Sequence, residues 1–325
     1  MATIAAPRLD FFAMKIAALS DIHGNLAALD AVLDDVRRRG ADLIVNLGDI
    51  VSGALHPAET ADRLIALDLP TIKGNHERQL LSGDRETMRL SDRWAHDTLR
   101  DDHRAWIAAL PERLTLDDDV LMVHGTPASD LVYFLETVTA DGCRAATPDE
   151  IARRAGDEPA SLILCGHTHV PRIAKLDDGR LIVNPGSVGL QAYTDDQPHP
   201  HRIETGSPHA RYAMVSRTPA GWHAEFHAVE YDWHTAADTA AARQRAAATT
   251  GPSRCAPAGA DGSSPVHPTP FTGKPIRHAR CVRQHRILAT ARERLAHPAA
   301  RRIVGYPGFG DTRRDPAVDA HLQRA

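Results

Sequence analysis

An α/β architecture of two packed sheets with helices outside is what this chain predicts, and three observations carry the prediction. Short apolar runs alternate with helical patterns through the first third. Strand-like runs dominate from residue 120 to 229. Hydrophobic residues make up 42% of 325 positions, enough to fill a sizeable core.

The elements follow in order. Residues 15–20 (KIAALS) read as a buried strand. Residues 26–38 read as a helix, because Leu26, Leu29, Leu33 and Val36 share one stripe and Gly40 follows as a stop. Residues 42–47 (DLIVNL) give a second strand, 56–67 a helix with Pro57 near its start, and 70–72 a short third strand. Helical patterns recur at 77–82, 91–99 and 103–109. Strand patterns recur at 120–123, 162–165, 172–176, 181–184, 211–215 and 222–229. The expected organisation is an untidy leader over 1–13, with Met14 as an alternative start, one domain over 14–234, and a disordered tail over 235–325.

The net charge of −4 hides two unlike pieces. Residues 241–325 hold 15 Lys and Arg against 5 Asp and Glu, a net of +10, which leaves −14 on residues 1–240. The tail is rich in Ala, Arg, Pro and His and poor in large apolar residues, so it predicts no core. Three readings of it stand: a basic arm that grips nucleic acid, a dispensable extension whose removal leaves the domain working, and the product of a frame slip in a GC-rich gene. A negative catalytic piece opposes polyanion binding outside such an arm. Cys143, Cys165, Cys255 and Cys281 are widely spaced and form no CxxC pair, which argues against a thiolate zinc site, and a chain this long argues against a disulfide framework. No run approaches the ~20 apolar residues of a membrane span. The start, MATIAAP, lacks the basic and apolar regions of a secretion signal. The expectation is a soluble cytoplasmic protein with no membrane partner; its oligomeric state is not legible.

The chemistry lies where strands end. Asp21-Ile22-His23-Gly24-Asn25 follows the first strand, Gly48-Asp49 the second, and Gly74-Asn75-His76-Glu77 the third. His124-Gly125 follows 120–123, and Gly166-His167-Thr168-His169 follows 162–165. Singly, each is a common surface turn. Together they put a carboxylate, an amide or an imidazole at five successive strand ends, where open α/β sheets bind ligands. Two Asp, one Asn and four His form an oxygen and nitrogen donor set. That set suits divalent Mn, Fe, Zn, Ni or Co, and Mg less well. Seven donors are too many for one tetrahedral ion and about right for two ions sharing a carboxylate.

This ordered set, DIHGN, GD, GNHE, HG and GHTH, resembles the calcineurin-like metallophosphoesterases over roughly residues 14–234. The string Asn184-Pro185-Gly186-Ser187 resembles their small bacterial phosphodiesterase branch. The resemblance implies a four-layer α/β/β/α sandwich of two mixed sheets with two divalent ions, manganese first among them, at the strand ends. It implies that Asp21, His23 and His169 hold one ion, that Asn75, His124 and His167 hold the other, and that Asp49 bridges them. His76 resembles the catalytic histidine. The implied activity is hydrolysis of a phosphodiester, nucleotide or phosphomonoester by in-line attack of a metal-bridging hydroxide. Two rivals are a catalytically silent scaffold of the same fold and a nuclease holding its substrate with the basic tail.

There are departures. The protein phosphatase branch carries GDxVDRG, whose second Asp orients the histidine and whose Arg binds phosphate. Here Ser52 and Gly53 stand at those places. A neutral Ser52 cannot raise the pKa of His76, so weak assistance to poor leaving groups is expected. Residues 126–146 are expected to form a lid or wall, with Tyr133 and Phe134 either stacking on substrate or filling core. Arg172 and Tyr193 are further candidate contacts to a small phosphorylated substrate, and the histidine-rich stretch 199–212 is expected to be a solvated loop.

Overall fold

Strand β1 (Lys15–Leu19) sends Ile16 and Ala18 to one side and Ala17 and Leu19 to the other, and all four are fully buried. A strand buried on both faces has to lie inside a layered structure. The computed structural model, which describes residues 14–249, places it there. β1 pairs in parallel with β2 (Leu43–Asn46) and antiparallel with β12 (Ala210–Thr218), which pairs with β13 (Gly221–Val229). The first sheet thus runs β13-β12-β1-β2. The second runs β3 (Arg113–Leu116), β4 (Val120–Val123), β7 (Leu162–Leu164), β9 (Leu181–Asn184), β8 (Arg172–Lys175). Its three inner strands are parallel and both edges antiparallel.

Helix α1 (Leu26–Arg39) starts where the Asn25 side chain accepts the Ala28 N–H at 3.2 Å, and it ends at Gly40, φ +71°. Its Leu29, Val32, Leu33 and Val36 cover Ala17 and Leu19. Helices α2 (Pro57–Leu67), α3 (Asn75–Ser82), α4 (Leu90–Thr98) and α5 (Asp101–Ala109) extend that outer layer through Leu64, Leu80, Ala95 and Ile107. Between the sheets, Ile16, Ala18, Val45 and Ile72 meet Met122, Leu162, Leu164 and Val183. Behind the second sheet, α6 (Pro148–Ala155) sets Ile151 and Ala155 against Leu121, Val123, Ile163 and Ile182. The order is α/β/β/α, as expected.

Several elements differ from the sequence reading. The expected third strand at 70–72 is a single parallel bridge, Asn46 with Thr71, because Pro70 has no N–H to extend a ladder. The expected lid folds into the hairpin β5 (Glu136–Thr139) and β6 (Gly142–Ala145), followed by α6. Its two aromatics divide: Phe134 is buried in the outer core, whereas Tyr133 is not part of it. The expected solvated loop supplies β11 (His201–Glu204), paired with β10 (Ala192–Asp195), and His201 is buried.

The expected boundary at 235 falls inside a helix. Helix α7 (Trp233–Thr249) runs on through it. Ala240 packs against Ala54 and Leu55, and the Arg243 guanidinium donates to the Ala54 carbonyl at 2.8 Å while lying 4.7 Å over the Trp94 ring. Alanine-rich sequence has high helix propensity but a weak apolar stripe, so composition alone reads it as tail. The leader over 1–13 and the tail from 250 onward, with its three readings, lie outside the described residues.

Candidate active site

Asp21 and His23 follow β1, Asp49 follows β2, Asn75 and His76 open α3, His124 follows β4, and His167 and His169 follow β7. β1 and β2 are parallel, and so are β4 and β7, so within each sheet the loops leave from one edge. Reaching a common centre from those edges demands sharp turns. Eight non-glycine residues among those described have positive φ, and five of them are Asp21, His23, Asp49, His167 and His169, at 51° to 70°. Such backbone costs of order 1–3 kcal/mol per residue and gathers at functional sites.

Two compact groups result. Ligand atoms of Asp21, His23 and His169 lie within 4.8 Å of one another, and so do those of Asp49, His124 and His167. His169 Nε2 is 3.3 Å from Asp21 Oδ1, and His124 Nε2 is 3.1 Å from both Asp49 Oδ2 and Asn75 Oδ1. The imidazole orientations are set from behind. His23 Nδ1 donates to Ser52 O at 2.7 Å, His124 Nδ1 to Leu47 O at 2.8 Å, and His169 Nδ1 to Leu190 O at 2.6 Å. His167 uses Nε2 for Leu131 O, 3.1 Å away. A carbonyl only accepts, so each of those nitrogens carries a proton. Burial opposes charge on His124, but Asp49 outweighs it and lifts that pKa to about 9, so a cation would displace a proton from His124 Nε2, while a neutral ring such as His23 turns a lone pair inward. His23 Nε2 and His169 Nε2 consequently face each other at 3.2 Å as two acceptors. Burial, the largest effect, holds His23 and His167 down to about 4, which keeps them neutral. A cage of lone pairs and buried carboxylates is what a cation satisfies.

His76 is built differently. Its backbone N–H donates to Asp49 Oδ1 at 3.0 Å, its ring Nε2 lies 3.9 Å from Asp49 Oδ2, and its ring Nδ1 lies 2.8 Å from Asp92 Oδ1. Burial works against charge on this ring, but Asp92 and then Asp49 outweigh it and lift the pKa to about 10. The expectation that His76 lacks an orienting carboxylate is therefore corrected: Asp92, on α4, supplies it. The Ser52 hydroxyl donates to the same Asp92 oxygen, so the residue at the place of the motif's aspartate holds the carboxylate that serves His76 instead. Gly53 also has a local cause. A Cβ there would stand 1.9 Å from the His23 carbonyl oxygen, so the arginine of the protein phosphatase branch has no room. Glu77, which the motif reading passed over, is fully buried. It accepts the N–H groups of Asp49 at 2.8 Å, Ile50 at 2.7 Å and Gly74 at 2.9 Å, tying two of the loops together.

With this geometry in hand, comparison with known proteins decides the family. The family model described as the calcineurin-like phosphoesterase superfamily domain matches residues 14–204, more than half of the chain. The chain belongs to this superfamily. A metallophosphoesterase from Sphaerobacter thermophilus is 29% identical, with 73% of this chain and 94% of that one covered and a TM-score of 0.54. An uncharacterized protein of Methanocaldococcus jannaschii is 28% identical over 200 residues, 54% of this chain and 76% of its own length. The protein is a metal-dependent phosphoesterase, a hydrolase whose cofactors are divalent ions.

The metallophosphoesterase cage opens into a cleft of about 640 Å³. Tyr133 and Tyr193 line it, their hydroxyls 2.7 Å apart, with Tyr133 also 2.9 Å from His201 Nε2. Their rings contact His167 and His169 edge-on, with centroids at 5.0 and 4.7 Å. Arg172 is not among the lining residues; its Nε donates to Glu136 Oε1 at 2.6 Å, so the chain brings it behind the cleft wall and not into the site. Among the described residues, no helix is long and apolar enough to cross a membrane.

Proposed function

We propose that this metallophosphoesterase is dinuclear and hydrolyses a phosphodiester, nucleotide or phosphomonoester, with manganese as the preferred ion. One observation carries the reading: two ligand groups open on one cleft, with His76 beside them at Asp49. Asp21, His23 and His169 would hold one ion, Asn75, His124 and His167 the other, and Asp49 would be shared. Two divalent ions held there would supply Lewis-acid charge to the phosphoryl oxygens and acidify water near neutral pH.

The remaining work falls to this chain. The carbonyls of Ser52, Leu47 and Leu190 hold three imidazoles with Nε2 inward. Glu77 holds the backbone that carries Asp49. His76, protonated and anchored through Nδ1 to Asp92, presents Nε2–H to the departing oxygen and neutralises it as the ester bond breaks. Asp92 is the anion that lets His76 keep its proton near cations. The intact donor set disfavours a silent scaffold.

Elemental analysis of manganese-loaded protein should find two ions per chain. Asp49→Asn should weaken both and abolish turnover, whereas His76→Ala should keep both and lose turnover. A single bound ion, or an active Asp49→Asn protein with two, would overturn the proposal.

A further inference from the structure

The cleft beyond the cage is far larger than a phosphoryl group needs, and its walls have a definite chemistry. Leu131 and Val132 are adjacent, 53% and 44% exposed, and both line it. Single exposed apolar residues need no explanation; two neighbours displayed on a cleft wall do. They are also held in place. On one side Asp130 is clamped by Arg78 through two bonds of 2.7 and 2.9 Å, and on the other Phe134 is sunk in the core. The Leu131 carbonyl meets the His167 ring, so the wall and the cage are one piece.

The charges on the walls cancel. Apart from the cage and His76, the charged residues lining the cleft are Arg89, Arg154, Glu136 and Asp195. Arg89 pairs with Asp195 at 3.3 Å. Arg154 donates to the Phe134 and Glu136 carbonyls at 2.9 Å and to Thr137 Oγ1 at 2.8 Å. Glu136 is held by Arg172. Each is engaged within the wall, and two arginines against two carboxylates leave no net positive charge on it for a second phosphate. Gln79 also lines the cleft, three residues along α3 from His76 and so on the same helix face; its side-chain amide has no partner among the described residues.

We propose that this cleft selects phosphoesters with a single phosphoryl group and an uncharged organic part that has an apolar face for Leu131 and Val132 and a hydrogen-bonding edge for Gln79. A nucleoside has that form; a polyphosphate chain does not. The inference rests on the phosphoesterase reading above and narrows it.

The test uses full-length, manganese-loaded protein and three probes: thymidine 5′-(4-nitrophenyl) phosphate, methyl 4-nitrophenyl phosphate, and a dinucleoside tetraphosphate. The thymidine ester should exceed the methyl ester in kcat/KM by at least about tenfold, mostly through KM, and should exceed the tetraphosphate. In the Leu131→Ala/Val132→Ala and Gln79→Ala proteins the thymidine-to-methyl ratio should fall toward one. Because the ratio is taken within one protein, any loss of ions or folded fraction cancels. Calorimetry should show thymidine 5′-phosphate binding more tightly than inorganic phosphate, with a negative heat-capacity change. Equal rates on both esters, a preference for the tetraphosphate, or an unchanged ratio in the variants would overturn the inference and leave the phosphoesterase reading standing. No turnover of any probe, nor of 4-nitrophenyl phosphate as a monoester control, by protein holding two ions would overturn the proposed function itself.

Discussion

Asp92 sits 2.8 Å behind His76 and takes the Ser52 hydroxyl as well, so one carboxylate sets both the orientation and the charge of the proton donor. Proton donation by a positioned group is worth about 10²–10⁴-fold, and it matters most where the leaving group is a strong base. Asp92→Asn should therefore slow an alkyl phosphoester by about 10²-fold and a nitrophenyl ester much less, with ion content unchanged. An equal loss on both would mean that Asp92 only supports the fold. Sequence could not foretell this residue. It lies 40 positions from the motif whose missing aspartate it replaces, and nothing in LSDRW marks it. The seven candidate donors, by contrast, are legible as residues that gather in one place, because each lies within five residues of a strand end or opens a helix. Arg172 misled for a related reason: closeness to GHTH in sequence did not fix the direction of its side chain, and Glu136 drew it away.

Glu77 is the device that joins elements. It closes the turn before α3 and holds the loop after β2. Removing it leaves buried N–H groups unpaired at about 1–3 kcal/mol each. Glu77→Ala should thus lower the unfolding free energy by several kcal/mol and release metal; a variant with full ion content and wild-type Tm would refute the bracing role. Asp35 plays a similar part between α1 and β12. It accepts Arg39 and Arg38 side chains and the Tyr212 hydroxyl at 2.7–2.8 Å. Burial opposes its charge, but these partners outweigh it and hold its pKa down to about 2, against 3.8 ordinarily. A depressed carboxylate contributes stability above its ordinary pKa and loses it as pH falls through the folded value. The wild-type protein should lose stability between about pH 4 and pH 2, and urea titrations of Asp35→Asn should show a smaller loss over that window. At this scale too, strands with apolar runs were readable, whereas β3, β5, β6, β10 and β11 were not. Of those five, only β10 and β11 show even a pair of buried residues, so their apolar signal is weak. Helix α6 did carry a signal, the box Thr147-Pro148-Asp149-Glu150.

Across the molecule, α7 reaches back to the active centre. Through Ala240 and Arg243 it touches Ala54, Leu55 and Trp94, next to Ser52 on one element and Asp92 on the other. A chain ending after Thr249 should keep full hydrolysis. One ending after Asp232 should show a lower Tm and a reduced kcat, steeper in its dependence on leaving group. Equal behaviour of the two would show α7 to be irrelevant to the site. A cut after residue 240, harmless on the composition-based boundary, would remove Arg243 and should resemble the shorter protein.

By itself the sequence determined the layered α/β fold, the family and which polar residues would be candidates for the site. Hydrophobic alternation and turn chemistry are local, and they place polar groups at strand ends wherever the strands go. Tertiary structure alone decided which carboxylate serves His76, which arginine is kept from the cleft, and that part of an apparent tail belongs to the domain. Those outcomes depend on directions and distances between residues far apart in the chain, which no local pattern encodes.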